Sequence, residues 1–133
     1  MPPIFSGPFP IFTVSDVSCS IGFYRDALGF AVNFRWPTDE MLEPEFVTMA
    51  LDGREIGLGR VAENASPALS NVELCLEVDD IETAWSWLLE HGASPIQQPT
   101  SQPWGESNAY VGDPDGLKIH LYCKAGVDSL SSE

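Results

Sequence analysis

Positive charge is the scarcest feature of this chain. Six Lys and Arg residues stand against 20 Asp and Glu, for a formal charge of −14 over 133 residues. A surface of that sign repels phosphate backbones, so nucleic acid is not an expected partner. It favours cationic ligands in a general way, and it also serves solubility alone. Histidine is nearly absent, with only His91 and His120. Cys19, Cys75 and Cys123 are odd in number and have no CxxC spacing. That argues against a disulfide scaffold and a structural zinc site, and it suits a reducing cytoplasm. No stretch approaches the roughly 20 apolar residues of a membrane-spanning helix. The start, MPPIFSGPFPIF, lacks the charged segment and apolar run of a secretory signal, so no membrane partner is expected.

What is present is enough apolar surface for one core. With 44% hydrophobic and 11% aromatic residues the chain reads as a single folded domain over residues 1–133. Residues 9–14 suit a first strand, held to a sheet edge or a bulge by Pro8 and Pro10, which cannot donate to a ladder. Asp16 caps a helix expected over 17–28, with Val17, Ile21, Tyr24 and Leu28 on one stripe and Gly29 as its left-handed terminator. Residues 30–36 read as a strand, 37–45 as an acidic loop, and 46–51 with 54–59 as a hairpin around Asp52-Gly53.

The order then repeats. A polar connector over 61–70 leads to VELCLEV (72–78), in which Glu73, Cys75 and Glu77 alternate with Val72, Leu74, Leu76 and Val78. Asp79 and Glu82 have capping-box spacing ahead of a helix bearing Ile81, Ala84, Trp85 and Leu88. A short strand is expected near 94–97. The stretch PWGESNAYVGDPDGLKIHLY (103–122) reads as two strands folded around Asp113-Pro114-Asp115-Gly116, the composition of a type I turn. After it Ile119, Leu121 and Cys123 face one way, and Lys118, His120 and Tyr122 the other.

Asp16-Val17 matches Asp80-Ile81, Gly29 matches Gly92, and Asp52-Gly53 matches Asp115-Gly116, at an offset of 63 or 64. The fold class is therefore α+β: two tandem βαβββ modules, 9–60 and 71–123, each with a helix over one sheet face. Neither module, at about 60 residues, holds a full core alone. Their open faces are expected to form a curved mixed sheet around a cleft.

The stretches VSDVSCSIGFYRDALGF (14–30), VELCLEVDDIETAW (72–85) and PWGESNAYVGDPDGLKIHLY resemble the vicinal oxygen chelate superfamily. It includes glyoxalase I, extradiol dioxygenases and bleomycin-resistance proteins. The PWG…DPDG form looks most like the bleomycin-resistance-like branch, although Glu106, Ser107 and Asn108 stand where that branch often carries an arginine. The resemblance implies a homodimer. It also implies that metal ligands, where present, come from positions that fall here on Phe9, Gly57, Glu73 and His120. Only Glu73 and His120 have donors, and a catalytic divalent site normally takes at least three protein ligands. A divalent metal is therefore not expected, nor any other cofactor.

Glu73 and His120 admit two readings: a polar sheet face lining a wet cleft, or an acid–base pair or partial metal site. Trp36 and Trp104 suit either ligand stacking or a dimer rim. Trp85 belongs to the core stripe, while Trp87 sits off its centre. Phe9 and Tyr122 share an inward face, and Cys75 beside Glu73 reads as an unactivated buried thiol. The ligand-binding set is thus Phe9, Trp36, Glu73, Cys75, Trp104, His120 and Tyr122. Two functions follow. One is a small-molecule binder that sequesters an aromatic or cationic antibiotic-like ligand without chemistry. The other is a divergent metal-dependent lyase, isomerase or dioxygenase using Glu73 and His120.

Overall fold

The computed structural model describes residues 3–4, 6–60 and 72–124. The connector expected at 61–70 lies outside them. The chain begins with β1 (Ile11–Val14), α1 (Val17–Gly22) with a π-helical turn over Phe23–Ala27, and β2 (Ala31–Trp36). Then come β3 (Phe46–Leu51) and β4 (Arg54–Arg60). The second set is β5 (Glu73–Glu77), α2 (Ile81–Glu90), β6 (Ser94–Ser101), β7 (Ser107–Gly112) and β8 (Lys118–Cys123). They form two four-stranded mixed sheets, ordered β1-β4-β3-β2 and β5-β8-β7-β6. The first strand of each set runs parallel to the last, and the other pairs are antiparallel. The tandem βαβββ architecture read from the repeat is the one observed.

Alternation sets the two faces of each sheet. Phe12, Val14, Val47, Met49, Ile56 and Leu58 are buried on the core face of the first sheet, and Ala109, Val111, Ile119, Leu121 and Cys123 on that of the second. Burying each large aliphatic side chain contributes about 1.5–3 kcal/mol. One continuous core joins both sets and includes Tyr24 from the π turn and Leu88 from α2.

Hydrogen bonds tie the halves together. The Ser15 amide and hydroxyl both donate to Asp115 Oδ1, at 3.0 and 2.6 Å. Tyr24 Oη donates to buried Asp113 Oδ2 at 2.9 Å, and Trp87 Nε1 donates to the Ala27 carbonyl at 2.8 Å. Trp87 is therefore an inter-module tie, while Trp85 packs half-buried against the core.

Four expected boundaries shift, each for a local reason. The first strand starts at Ile11 rather than residue 9, because Pro8 and Pro10 cannot donate; ladder bonding opens with Pro10's carbonyl accepting from the Gly57 amide at 2.8 Å. The first helix changes to π geometry at Phe23, the segment from which Tyr24 reaches Asp113. Asp80, not Asp79, caps α2: its carboxylate accepts from the Thr83 amide at 3.2 Å. β6 extends to Ser101 through two register irregularities that accommodate its prolines. Asp52 and Gly53 both take positive φ, 54° and 76°, as a type I′ hairpin requires.

Candidate functional site

A cavity of about 740 Å³ opens between the N-terminal segment, the β3–β4 hairpin and the outward face of β5 and β8. Phe9, Pro10 and Phe30 form its apolar side. Glu55, Cys75, Glu77 and Tyr122 supply polar atoms, and Arg54 stands at its hairpin edge. Each polar residue arrives by alternation: Glu55 pairs with Ala50 on the face away from the core, and Glu77 pairs with Tyr122. A volume in this range is usual for a drug-sized ligand.

On the same face of the second sheet, Glu73, His120 and Asn108 form a connected chain. Asn108 Nδ2 donates to His120 Nε2 at 2.7 Å, which leaves the ring proton on Nδ1 facing Glu73 Oε1 at 3.1 Å. Tyr110 stacks on the imidazole, with centroids 4.5 Å apart and an interplanar angle of 19°. Glu106 Oε1 accepts from Trp104 Nε1 at 3.0 Å and lies 3.3 Å from Asn108 Nδ2. The bond from Trp104 is the main cause that holds the Glu106 carboxyl below its ordinary range.

The Cys75 sulfur lies 3.8 Å from His120 Nδ1. The thiol is exposed rather than buried as expected, because β5 is an edge strand and its outward face lines the cavity. Partial burial, then the charges of Glu73 and Glu106, push its pKa up, so it rests as a protonated thiol. With both imidazole nitrogens engaged, His120 works as a spacer that orients its neighbours.

The structure therefore divides the residues singled out from sequence. Phe9, Cys75 and Tyr122 line one cavity. Glu73 and His120 pair beside it, with Cys75 as the link. Trp36, at the end of β2, is 55% exposed and Trp104 is 67% exposed, and neither lines the cavity. Sequence reasoning did not single out Arg54, Glu55, Glu77 or Tyr110. Glu77 and Tyr110 could have been found from strand parity, since they share the outward face of Glu73 and His120. Arg54 and Glu55 could not, because their place depends on how the first hairpin meets β5.

Residues 9–121 match the family model described as Glyoxalase/Bleomycin resistance protein/Dioxygenase superfamily. This chain belongs to that superfamily. Solved structures agree on the glyoxalase-type fold. A superfamily member from Sphaerobacter thermophilus is 26% identical with a TM-score of 0.70, covering 90% of this chain and 98% of its own. A glyoxalase-related enzyme from Fulvimarina pelagi is 20% identical with a TM-score of 0.70, over 90% and 88%. A hypothetical protein from S. aureus is 23% identical with a TM-score of 0.70, over 91% and 99%. No curated protein matches the chain.

Metalloenzymes of the glyoxalase superfamily raise the question of whether these residues fit a divalent ion. Among the described residues no three His, Cys, Asp or Glu side chains converge as a ligand group. The position falling on Gly57 is physically closed. A Cβ there would lie 2.9 Å from Ile11 Cγ1 and 3.2 Å from the Phe46 ring, so no ligating side chain fits without repacking. Glu73 and His120 are spent on each other and on Asn108. This donor set does not fit a catalytic divalent ion. No helix among the described residues is long and apolar enough to cross a membrane.

Proposed function

We propose that the protein binds a small aromatic, antibiotic-like molecule in the cavity beside β5 and β8 and holds it without chemistry, in the manner of the bleomycin-resistance branch. The observation that carries this reading is the cavity lining: Phe9 and Tyr122 supply rings, while Glu55 and Glu77 supply carboxylates. Rings give stacking area and carboxylates favour a cationic substituent. The reading includes no metal and no other cofactor, because Glu73 and His120, the donors at the ligand-equivalent positions, are engaged with each other and with Asn108. The free Cys19, Cys75 and Cys123 support a reducing cytoplasm as its compartment.

A second copy of this chain is the partner in the same reading. Ile11, Phe34 and Trp36, together with half-buried Phe46, leave an apolar open face on the first sheet, where each of the first three is about half exposed. A face of that kind is commonly covered in an assembly.

Titration with bleomycin and a panel of cationic aromatics tests the binding reading. A ligand at about 100 times its Kd stabilises the fold by about 2.7 kcal/mol. That is a rise of several degrees in Tm for a domain of this size. A panel that leaves Tm unchanged throughout overturns it.

A further inference from the structure

The cavity has one charged feature that an aromatic or cationic ligand does not use. Arg54, the first residue of β4, lines it, and no other Lys or Arg among the described residues does so. Most other cations here are occupied. Arg25 pairs with Asp26 at 2.9 Å, and Arg35 donates to the carbonyls of Pro37, Asp39 and Leu42. Lys118 and Lys124 sit over the rings of Tyr110 and Tyr122. Asp52 also lines the cavity, yet the two ion pairs among the described residues, Arg25–Asp26 and Glu73–His120, leave both Asp52 and Arg54 unpaired. Among the described residues the Glu77 carboxylate has only the Tyr122 hydroxyl, at 3.5 Å.

Resting on the binding reading above, we infer that the ligand of this cavity is a zwitterion with an aromatic body. Arg54 receives a carboxylate, Glu77 receives an ammonium group, and Phe9 and Tyr122 hold the apolar part between them. A guanidinium presents its N–H donors as a fork that matches carboxylate geometry, which a lysine at this place would not do. The net charge of −14 already attracts simple cations anywhere on the surface. A cation placed in the cavity therefore selects for the anionic end and sets the direction in which the ligand lies.

Three matched indoles separate the contributions: tryptophan carries both charges, tryptamine only the ammonium, and indole-3-propionate only the carboxylate. Binding to the full chain is followed by amide shifts of Cys75 and Tyr122 and by calorimetry. Wild type is expected to bind tryptophan about tenfold more tightly than either single-charge analogue, the scale of one charge-assisted hydrogen bond. Arg54→Gln should weaken tryptophan to the level of tryptamine and leave tryptamine unchanged. Glu77→Gln should weaken tryptophan and tryptamine and spare indole-3-propionate. Both side chains are exposed, so the variants keep the wild-type melting profile. Equal binding of the three indoles, or indifference of indole-3-propionate to Arg54→Gln, overturns the inference and leaves the cavity as a binding site. Absence of any shift at Cys75 and Tyr122 with all three overturns the inference, and the binding reading falls with it only when bleomycin and the cationic aromatics also leave Tm unchanged.

Discussion

Asp113 illustrates how one residue can serve turn, core and module contact together. Its Oδ1 accepts from the amides of Asp115 and Leu117, both at 2.8 Å, while Oδ2 accepts from Tyr24. Burial outweighs these bonds and raises the carboxyl above its ordinary value of 3.8. The folded state therefore keeps this proton to a higher pH than the unfolded chain does. Its contribution to stability is present below the unfolded value and is lost as pH rises through the folded one. Asp113→Asn cannot titrate. Urea unfolding across this window should show wild type losing stability relative to the variant as pH rises. Asp113→Ala should cost about 1–3 kcal/mol below this window and less above it, because it leaves two amides and a phenol without an acceptor at every pH while the wild type loses its protonation-linked stability as pH rises.

Gly57 acts sterically instead. Ile11 and Phe46 already close over it, so Gly57→Ala should cost about 1–3 kcal/mol in chemical unfolding through overpacking. For the same reason Gly57→His should not bring in Zn, Mn, Fe or Ni. Elemental analysis of that variant purified without chelators checks this, and a stoichiometric metal would show that Ile11 and Phe46 give way easily.

At the scale of elements, α2 shows how far a local pattern can mislead by one residue. Asp79 and Asp80 both stand before the helix, and only the spacing Asp79–Glu82 resembles a capping box. In the fold Asp80 is extended, with φ −142°, and its side chain caps the Thr83 amide. The match of Asp16-Val17 with Asp80-Ile81 pointed to the right residue, and Asp16 caps the Cys19 amide in the same way. Asp80→Ala is expected to cost about 1 kcal/mol and Asp79→Ala less than about 0.5 kcal/mol, measured by chemical unfolding. The repeat was the better guide because both halves fold alike, whereas capping chemistry alone fits adjacent residues equally well.

At the scale of the molecule, two sheets of identical order share one core and are tied by Ser15–Asp115, Tyr24–Asp113 and Trp87–Ala27. The half-exposed Ile11, Phe34 and Trp36 remain on the open face of the first sheet. Light scattering at micromolar concentration is expected to give twice the chain mass. A monomeric mass would remove the second copy from the proposal and leave the cavity untouched, since its lining comes from one chain.

The sequence alone determined the tandem modules, the strand faces and the turns. Those follow from period-two alternation and glycine at positive φ, which act over a few residues, and from the internal repeat, which shows in the sequence at an offset of 63 or 64. It also placed Glu73 and His120 on one face, because they lie on neighbouring strands of one module. The tertiary structure decided what surrounds them. That Asn108 and Tyr110 engage His120 depends on the pairing of β7 with β8. That Ile11 and Phe46 close over Gly57 depends on β1 and β3 flanking β4. That Arg54 and Glu55 line one cavity with Phe9 and Glu77 depends on where the first hairpin lies relative to β5. Contacts between distant segments are set by packing of the whole core, and no local pattern encodes them.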